Sequence, residues 1–448
     1  MKDLTTGKEG KLILQFALPM LAGNVFQQLY NVVDSIVVGR AIGKEALAAV
    51  GANFPFIFAL ISFVVGITIG STVIISQYYG ARKMDMVKKT IDTIYIFLFV
   101  ASIVVTTLGI LFADDIFRLI RLPADVLPSA VSYFKIYATG FFFFFGFQGT
   151  SSIMRGLGDS KTPFYFLAFS TLINIVLDLV FVLAFRWGIK GVAFATVVSQ
   201  ALAFFAIIIY MNRYHSFLDF RPLKMKFDTG IFKKSLKIGL PTGFQQTFVS
   251  LGFLALYRIV NMFGTSTIAA YSIAIRIGSF ASMPAMNFSA ALSTFVGQNL
   301  GANKIERISR GLGATLLMSN FVALVTGFIA IIFAGPLMAV FTKDAQVIEI
   351  GRQYLLIVPF FYMVFATMFT INGVMRGAGD TLIPMIITII SLWIVRIPVS
   401  YYLSLHMGTR GIWWGIPIAW FVGIILAFSY YKTGRWKKKG IVRHKQVQ

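Results

Sequence analysis

Cysteine is absent from this sequence of 448 residues, and histidine occurs only three times, at His215, His406 and His444. Without cysteine the chain cannot form disulfides or thiolate nucleophiles, and the histidines are too far apart for zinc-ligand spacing. Charged residues are scarce as well, at 13% of the chain, or roughly half of the fraction in soluble domains. These shortages exclude disulfide scaffolds and argue against a water-soluble enzyme, and we expect no metal site and no catalytic residue.

Hydrophobic residues, by contrast, make up 57% of the chain and are spread over almost its whole length. Twelve apolar stretches can be drawn, and each is long enough to cross a bilayer because about 20 helical residues span the hydrocarbon core. The sequence therefore predicts an all-α membrane protein with twelve transmembrane helices, spans 1 to 12. They lie near residues 12–38, 50–78, 91–113, 130–152, 163–184, 190–211, 236–260, 268–297, 312–334, 352–373, 382–405 and 411–431.

The formal net charge of +23 would suit a nucleic-acid-binding protein. The positions of the basic residues along the chain distinguish such a protein from a membrane protein. More than half of the 40 lysines and arginines lie in the two tails and in the even-numbered connections between spans. Cytoplasmic loops of membrane proteins carry such an excess. We therefore expect no nucleic-acid partner. The sequence predicts a multi-pass protein surrounded by lipid of the cytoplasmic (plasma) membrane, with both termini in the cytoplasm.

The two halves of the sequence repeat one another. A shift of 221 residues superimposes residues 76–83 on 297–304, and it superimposes the Met-Arg-Gly-x-Gly-Asp motif at 154–159 on the same motif at 375–380. Two such matches at one shift indicate that a unit of six spans has been duplicated. Because six is even, both halves enter the membrane from the same side, and a pseudo-twofold axis along the membrane normal should relate them.

A duplicated bundle of this kind is typical of transporters. In such proteins the substrate binds between the halves, and access alternates as one bundle rocks against the other. We predict four parts: an N-terminal six-helix lobe at 1–211, a cytoplasmic linker at 212–235, a C-terminal six-helix lobe at 236–431 and a basic cytoplasmic tail at 432–448.

Two acidic residues inside apolar spans are the strongest candidates for a functional site. Asp34 lies towards the outer end of span 1, and Asp178 lies in the outer part of span 5 at similar depth. A charged residue at the centre of a membrane helix costs about 2.5 to 3.5 kcal/mol on insertion scales, so each one needs a reason. Polar residues share the helix faces of these two aspartates, which indicates a cavity or a polar core: Gln27, Tyr30, Asn31 and Asn174.

Two carboxylates that face each other in a region of low dielectric can bind a proton near neutral pH and release it when water reaches them. This chemistry predicts a proton-coupling switch made of Asp34 and Asp178, and the alternative is a static hydrogen-bonded pair that fixes helix packing. The second half has no counterpart, since the 221-residue shift places Ala255 and Val399 at these positions. We therefore expect coupling to be confined to the first lobe.

Several prolines and arginines within the spans have both a structural and a functional interpretation. Pro19 interrupts span 1 and Pro241 interrupts span 7, and each removes a helical hydrogen bond, so either one can be a hinge or a fixed bend. Arg396 lies deep in span 11, where it could bind an anion or balance a carboxylate. We nevertheless expect a structural role for it and for Arg258 and Arg276, which can extend from span ends to the surface.

The Gly-x-Gly-Asp sequences at 156–159 and 377–380 match a pattern of intramembrane aspartyl proteases. Each one follows a span, occurs in both halves and precedes a proline. That context is typical of a glycine turn that ends a helix. We expect such turns at the cytoplasmic surface, and we do not expect an enzyme.

Taken together, these residues resemble the multidrug and toxic compound extrusion (MATE) family over nearly the whole chain. The resemblance rests on twelve spans in two like halves, on the repeated Met-Arg-Gly-x-Gly-Asp loops and on these residues: Leu18-Pro19, Gln27, Tyr30, Asp34, Asn174 and Asp178. It implies a V-shaped pair of six-helix lobes that exports organic cations and amphipathic drugs in exchange for inward H+ or Na+.

Within this family the sequence is similar to the DinF-type branch, in which acidic residues of the N-terminal lobe carry the coupling. The match extends to Thr196 on span 6, which the resemblance places opposite the acidic cluster. Spans 7 and 8 carry acidic groups in NorM-type members but contain none here. The resemblance thus argues against a sodium site in the second lobe. It also implies that Pro19 lets span 1 bend when Asp34 is protonated, and the sequence does not choose between a straight and a bent form.

The function we expect is a drug/H+ antiporter that acts as a monomer without a cofactor. Protonation of Asp34 and Asp178 from outside would displace a cationic or amphipathic substrate. We expect Gln27 and Tyr30 to contact the substrate. We also expect three residues to form hydrogen bonds with the carboxylates: Asn31, Asn174 and Thr196.

Three other functions are compatible with a sequence of this kind. Sodium could replace the proton, because two carboxylates with amide and hydroxyl oxygens also suit a hard cation. A flippase for a lipid-linked precursor would handle a pyrophosphate and need several basic residues in its cavity, whereas only Arg396 is central. An intramembrane protease would have to use Asp159 or Asp380, which we expect at the surface.

Overall fold

The computed structural model describes residues 2–119, 122–215 and 220–442, so part of the predicted linker, the end of the predicted tail and His444 lie outside the described residues. Within these ranges the chain is almost entirely helical and contains no strand, which confirms the predicted all-α fold. The α-helices are α1 (Glu9–Val37), α2 (Lys44–Gly80), α3 (Met84–Leu119), α4 (Leu127–Thr139), α5 (Phe141–Gly156), α6 (Lys161–Leu179), α7 (Gly188–Tyr214), α8 (Thr229–Asn261), α9 (Thr265–Gly301), α10 (Ile305–Ile332), α11 (Ala334–Ala339), α12 (Ala345–Ile357), α13 (Tyr362–Ala378), α14 (Leu382–Ile389), α15 (Ile397–Met407) and α16 (Thr409–Lys432).

Each of the twelve predicted spans corresponds to one helix or to consecutive helices. Nine helical segments of the described chain are long and apolar enough to cross a membrane, and the bent pair α4 and α5 forms a tenth. The helices at spans 7 and 8, α8 and α9, are 33 and 37 residues long but fall short of that apolarity. The chain is therefore a multi-pass membrane protein.

Three spans contain π-helical stretches that the sequence analysis does not predict. They occupy Val38–Ile42 in span 1, Val180–Ala184 in span 5 and Ile390–Arg396 in span 11. A π-helical turn holds more residues than an α-helical one and is frequent at functional sites. The intramembrane charged residues Asp34, Asp178 and Arg396 all lie in these stretches or within one turn of them.

Span 4 also differs from the single straight helix that the sequence predicts. It is broken between Thr139 and Phe141, and its two parts, α4 and α5, meet at an angle of 51°. Glycine weakens a helix at the break, since Gly140 has no side chain to restrict its backbone. Its missing side chain also lets α7 approach, because a Cβ atom there would lie 2.9 Å from Val197 Cγ2.

The chain divides into two compact units. The first unit contains Pro19–Ile75 and Lys83–Leu240, and the second contains Asp3–Leu18, Ser76–Arg82 and Pro241–Gln448. The chain thus passes from one unit to the other at Pro19 inside α1 and at Pro241 inside α8. The predicted boundaries of the four parts remain predictions.

A large aromatic cluster is fully buried in each unit. The rings of Phe134 and Phe141 pack in the first unit at a centroid distance of 6.5 Å. In the second unit Tyr271 stacks on Trp413 at 5.5 Å, and neither side chain is more than 1% exposed. Such rings contribute much of the buried apolar area in a core, so these positions help to hold the helices of each unit together.

The N-terminal segment belongs to the second unit because its backbone is hydrogen-bonded there. The backbone N–H of Leu4 donates to Gln298 Oε1 at 2.9 Å, and Asn299 Nδ2 donates to the carbonyl oxygen of Leu4 at 3.1 Å. The repeat-related Gln77 binds the other end of the chain in the same way, since its Oε1 accepts from the backbone N–H of Ile441 at 2.6 Å. The two glutamines of the repeat therefore each hold one terminal segment.

Two glycines of the same repeat make these contacts possible. A Cβ atom on Gly80 would clash with the carbonyl oxygen of Gln298, and one on Gly301 would clash with the carbonyl oxygen of Gln77. The ends of α2 and α9 therefore approach backbone to backbone, which only glycine permits. This close packing accounts for the place of residues 76–82 in the second unit.

Candidate functional site in the first unit

The structure brings Asp34 and Asp178 into one compact unit from two different helices. Asp34 lies one turn before the end of α1, and Asp178 is the second-last residue of α6. Their exposed fractions are 7% and 0%, so both carboxyl groups are withdrawn from solvent and lipid. A π-helical stretch follows each aspartate, and these two stretches contact each other. This contact joins the ends of α1 and α6 at the site.

These two carboxyl groups are close to one another and poorly satisfied. They are near enough for their charges to interact. Asp34 Oδ1 and both side-chain oxygens of Asp178 are buried and accept no hydrogen bond from the described part of the protein. A buried charge without a partner is costly. A proton or a cation at this pair would remove that cost.

Asn174 lies one turn before Asp178 on α6. Its side chain is 2% exposed, and neither its amide nitrogen nor its amide oxygen has a hydrogen-bond partner among the described residues. A buried amide normally satisfies both groups. The oxygen of Asn174 is therefore available to a cation, and its nitrogen is available to a carboxylate.

Thr196 on α7 is buried and contacts span 1. Its hydroxyl lies 3.2 Å from the hydroxyl of Tyr30, and it also donates to the carbonyl oxygen of Val192 at 3.1 Å. Tyr30 is partly buried and lies within electrostatic range of both aspartates. The structure thus brings five of the predicted residues into one region from three helices: Tyr30 and Asp34 on α1, Asn174 and Asp178 on α6, and Thr196 on α7.

Asn31 and Gln27 lie elsewhere on α1. Both side chains are exposed, and Asn31 Nδ2 donates to Gln28 Oε1 at 3.4 Å. The structure does not bring them into hydrogen-bonding contact with the carboxylates, although exposure leaves them accessible to a substrate. Their predicted roles, like those of the other site residues, remain predictions.

Two tyrosines of α4, Tyr133 and Tyr137, join the site and are not among the residues predicted from the sequence. Tyr133 and Tyr137 lie within electrostatic range of Asp34, and their rings stack at a centroid distance of 6.0 Å. The hydroxyl of Tyr137 is hydrogen-bonded to the side chain of Gln200. The signal available in the sequence was their spacing of four residues, which places two polar aromatic side chains on one face of α4.

No equivalent acidic pair lies within the spans of the described part of the second unit. Helices α8 and α9 contain neither aspartate nor glutamate. Arg396 of span 11 is buried, whereas Arg258 and Arg276 are exposed. Spans 1 and 5 of the first unit thus bury carboxyl groups, whereas span 11 of the second buries a guanidinium group.

Both Gly-x-Gly-Asp sequences form turns, as predicted. Gly158 and Gly379 have φ values of 85° and 89°, in the left-handed region that favours glycine, and each ends a helix. Asp159 Oδ1 then accepts hydrogen bonds from the backbone N–H groups of Lys161 and Thr162, both at 3.0 Å. This is the geometry of a helix cap and explains the aspartate without any catalytic role.

The MatE family model matches the chain twice, over residues 19–180 and 241–402. The chain belongs to the MatE family. The two matched segments repeat at an offset of 222 residues, which confirms the predicted duplication, and they begin at Pro19 and Pro241. Members of the MatE family are transporters, so the chain is a transporter and not an enzyme.

Relatives of known name and structure agree with this assignment to the MatE family. The chain is 33% identical over 439 residues to the probable multidrug resistance protein YoeA of Bacillus subtilis (strain 168), a match that covers 96% of this chain and 94% of that protein. Crystal structures of MATE in the straight and bent conformations match it with TM-scores of 0.91 and 0.90. Both are 24% identical, cover 97% of this chain and 98% of theirs, and support the fold alone. The chain is thus a multi-pass transporter of a multidrug efflux family, and its place in the DinF-type branch remains a prediction.

Proposed function

We propose that this chain is a secondary active antiporter that exports organic cations and amphipathic drugs in exchange for protons bound by Asp34 and Asp178. The observation that carries the proposal is the pair itself. Two buried carboxyl groups from α1 and α6 interact, and three of their four oxygens have no donor in the described part of the chain. Two like charges this close in a region of low dielectric favour the uptake of a proton or a cation.

Exchange follows if proton and substrate compete for the same carboxyl groups. A cationic substrate binds while the pair is ionised, because its charge replaces the missing hydrogen-bond donors. When the site opens outside, protons displace the substrate, and they leave again on the cytoplasmic side. Such competition couples the two flows without a further device, since each ligand excludes the other.

The neighbouring residues have distinct roles in this cycle. Asn174 and Thr196 would hydrogen-bond the carboxyl groups and adjust their affinity for the proton. Asn31 would join them after a change of its side-chain conformation, because its amide donates to Gln28 in this structure. Gln27 and Tyr30 would contact the substrate, and the exposure of Gln27 supports that role. The ring faces of Tyr30, Tyr133 and Tyr137 supply surfaces on which an organic cation can rest.

Pro19 is the proposed hinge of span 1. It lies where α1 passes from one compact unit to the other, and it lacks the N–H that would bond to the carbonyl of Gln15. The solved structures of MATE in straight and bent conformations support the idea that this fold has two forms. Protonation of Asp34, on the same helix, would favour one of them.

Drug efflux driven by an imposed pH gradient tests the proposal. In proteoliposomes, Asp34→Asn and Asp178→Asn should each lower the efflux of a cationic dye at least about tenfold, because each removes a proton-binding group. Asp114→Asn is the matched control, since Asp114 is paired at the surface with Lys135 and should leave efflux unchanged. Normal pH-driven efflux in both site variants would overturn the proposal.

Sodium is the second candidate for the coupling ion. The unpartnered oxygens of Asn174 and Asp178 favour it, because carboxylate and amide oxygens are the ligands that hard cations prefer. Replacing sodium by choline at fixed pH separates the two ions. Efflux that persists without sodium and follows the pH gradient assigns the proton, whereas efflux that requires sodium at every pH assigns sodium.

The proposed transporter acts as a monomer in the cytoplasmic membrane, with both termini in the cytoplasm. The distribution of basic residues supports that orientation. No cofactor is needed, because the coupling ion and the substrate bind to the same side chains.

A further inference from the structure

Arg396 of the second unit is a buried cation inside a membrane span. It is the last residue of the π-helical stretch Ile390–Arg396, and its side chain is 9% exposed. A charged residue inside a membrane span is costly and usually marks a binding or coupling site. The residue therefore requires a partner, and the second unit offers an unusual set of neighbours.

No carboxylate of the described chain neutralises Arg396. None lies within 4 Å of its guanidinium group, and α8 and α9 contain no acidic residue at all. Glu349 on α12 is paired instead with Arg352. The positive charge of Arg396 is therefore uncompensated within the described structure.

The guanidinium also makes few hydrogen bonds. Its Nη2 donates to the hydroxyl of Tyr271 at the long distance of 3.5 Å, and its Nε is buried without an acceptor among the described residues. The ring of Phe253 lies 5.6 Å from the guanidinium carbon. An arginine that serves only to fix packing would be expected to satisfy its donors.

Further unpartnered donors come from neighbouring helices. The indole N–H of Trp413 on α16 and the hydroxyl of Tyr362 on α13 are both buried without a hydrogen-bond partner in the described chain. Tyr271 connects the first of these to the arginine, since its ring stacks on Trp413 while its hydroxyl accepts from Arg396. Three donors without acceptors thus occur in one aromatic region.

Gly278 on α9 leaves space next to the hydroxyl group of Tyr362. A Cβ atom on this glycine would lie 3.5 Å from the hydroxyl oxygen of Tyr362 and 3.6 Å from that of Tyr354. The two hydroxyl groups therefore flank the same point. Tyr354 in turn packs edge-on against Trp413 at a centroid distance of 5.3 Å. We call Arg396, Tyr271, Tyr354, Tyr362 and Trp413 the Arg396 cluster.

The repeat relates this cluster to the acidic site. A shift of 221 residues places Arg396 opposite Ile175 of span 5, one helical turn from Asp178. Corresponding spans of the two units thus carry buried charges of opposite sign at nearly equivalent positions of the repeat. An acidic site suits a cation, and by the same reasoning an uncompensated basic site suits an anion.

We propose that the Arg396 cluster is a binding site for the carboxylate of a small aromatic molecule. Arg396 would form the ion pair, and Trp413 and Tyr362 would donate to the same anionic group. A carboxylate matches the planar fork of a guanidinium, whereas a doubly charged phosphate would call for more than one cation. The rings of Tyr271 and Trp413 suit a flat apolar body. This site goes beyond the proposed cation/proton exchange and does not depend on it.

Equilibrium binding of radiolabelled benzoate to the full-length protein in lipid nanodiscs tests the site. We expect one saturable site, which Arg396→Gln weakens by about tenfold or more because it removes a charge-assisted pair. Arg276→Gln is the matched control, since that arginine lies exposed on α9 and should leave binding within about twofold. Asp34→Asn should also bind benzoate normally, which separates this site from the acidic one.

Competition defines the ligand chemistry. Uncharged benzamide and inorganic phosphate should displace benzoate poorly, and chloride should do so only at much higher concentration. Displacement by benzamide as effective as by unlabelled benzoate would overturn the site as an anion site, and equal displacement by chloride or phosphate would overturn the carboxylate assignment.

A second variant covers the case in which Arg396→Gln fails to fold. Tyr362→Phe keeps the ring and removes one proposed donor, so it should weaken benzoate binding by about threefold or more. Unchanged binding in Tyr362→Phe together with unchanged binding in a folded Arg396→Gln or Arg396→Lys protein would show that the cluster is only structural.

Discussion

At the scale of single residues, the described chain contains buried polar atoms that the protein leaves without partners. Six of the twelve residues that carry such atoms belong to the two sites: Asp34, Asn174 and Asp178 in the first unit, and Arg396, Tyr362 and Trp413 in the second. Native proteins satisfy most of their buried polar groups, so several unpartnered groups in one region indicate a site that binds something else. The sequence pointed to the first set through its acidic residues, but only the structure identified the second as a set.

Tyr137 is expected to contact a cationic substrate through its ring. Its ring lies near Asp34, so we expect Tyr137→Leu to raise the half-saturating concentration of a cationic dye about fivefold or more, which corresponds to the loss of a cation–π contact of about 1 kcal/mol. Tyr137→Phe keeps the ring and should have a smaller effect. Equal effects of the two substitutions on efflux kinetics would instead assign the role to the hydroxyl group and its hydrogen bond with Gln200.

At the scale of helices, the unexpected features are local departures from α-helix geometry. Sequence periodicity predicted the spans, but it did not predict the π-helical stretches of spans 1, 5 and 11 or the 51° bend of span 4. A π-helical turn changes how a helix packs against its neighbours, so its position depends on the tertiary structure. In span 11 a local cause is also visible, because Pro398 has no N–H for the carbonyl of Ile394.

Pro19 is expected to act as a hinge in span 1. Pro19→Ala restores a backbone donor in α1 and should stiffen the helix, so we expect the maximal efflux rate to fall at least about fivefold while dye affinity changes little. Pro55→Ala is the matched control, because Pro55 also lies inside a helix but away from a boundary between units. An efflux rate in Pro19→Ala that matches the Pro55→Ala variant would mean that the bend is static.

At the scale of the whole molecule, the duplication reaches further than the sequence match suggested. Gln77 and Gln298 are equivalent in the repeat, and each accepts a hydrogen bond from one terminal segment of the chain. Gly80 and Gly301 are equivalent as well, and each would clash with the carbonyl oxygen of the other copy's glutamine if it carried a side chain. The repeated sequence at 76–83 and 297–304 thus has a packing function. By contrast, the two buried ionic sites have diverged to opposite charge.

The absence of cysteine makes the predicted topology directly testable. Single cysteines can be introduced at the exposed positions Lys438 and Asp125, which follow α16 and α3. In intact cells a membrane-impermeant maleimide should label Asp125→Cys and leave Lys438→Cys unlabelled, because the positive-inside rule puts the basic tail in the cytoplasm. Everted vesicles should give the reverse pattern. Labelling of Lys438→Cys in intact cells would show that the basic tail lies outside the cell and that the predicted orientation is wrong.

The sequence by itself determined the spans, the duplication and the two acidic residues of the candidate site. These properties depend on hydropathy, repeated motifs and charge along the chain, which can be compared without knowing any distance. The sequence could not determine which polar atoms lack partners, because a hydrogen bond such as that between Tyr30 and Thr196 joins residues 166 positions apart. Only the tertiary structure could assemble Tyr133 and Tyr137 with Asp34, or Arg396 with the aromatic residues of four other helices, since contacts between helices depend on how their faces pack.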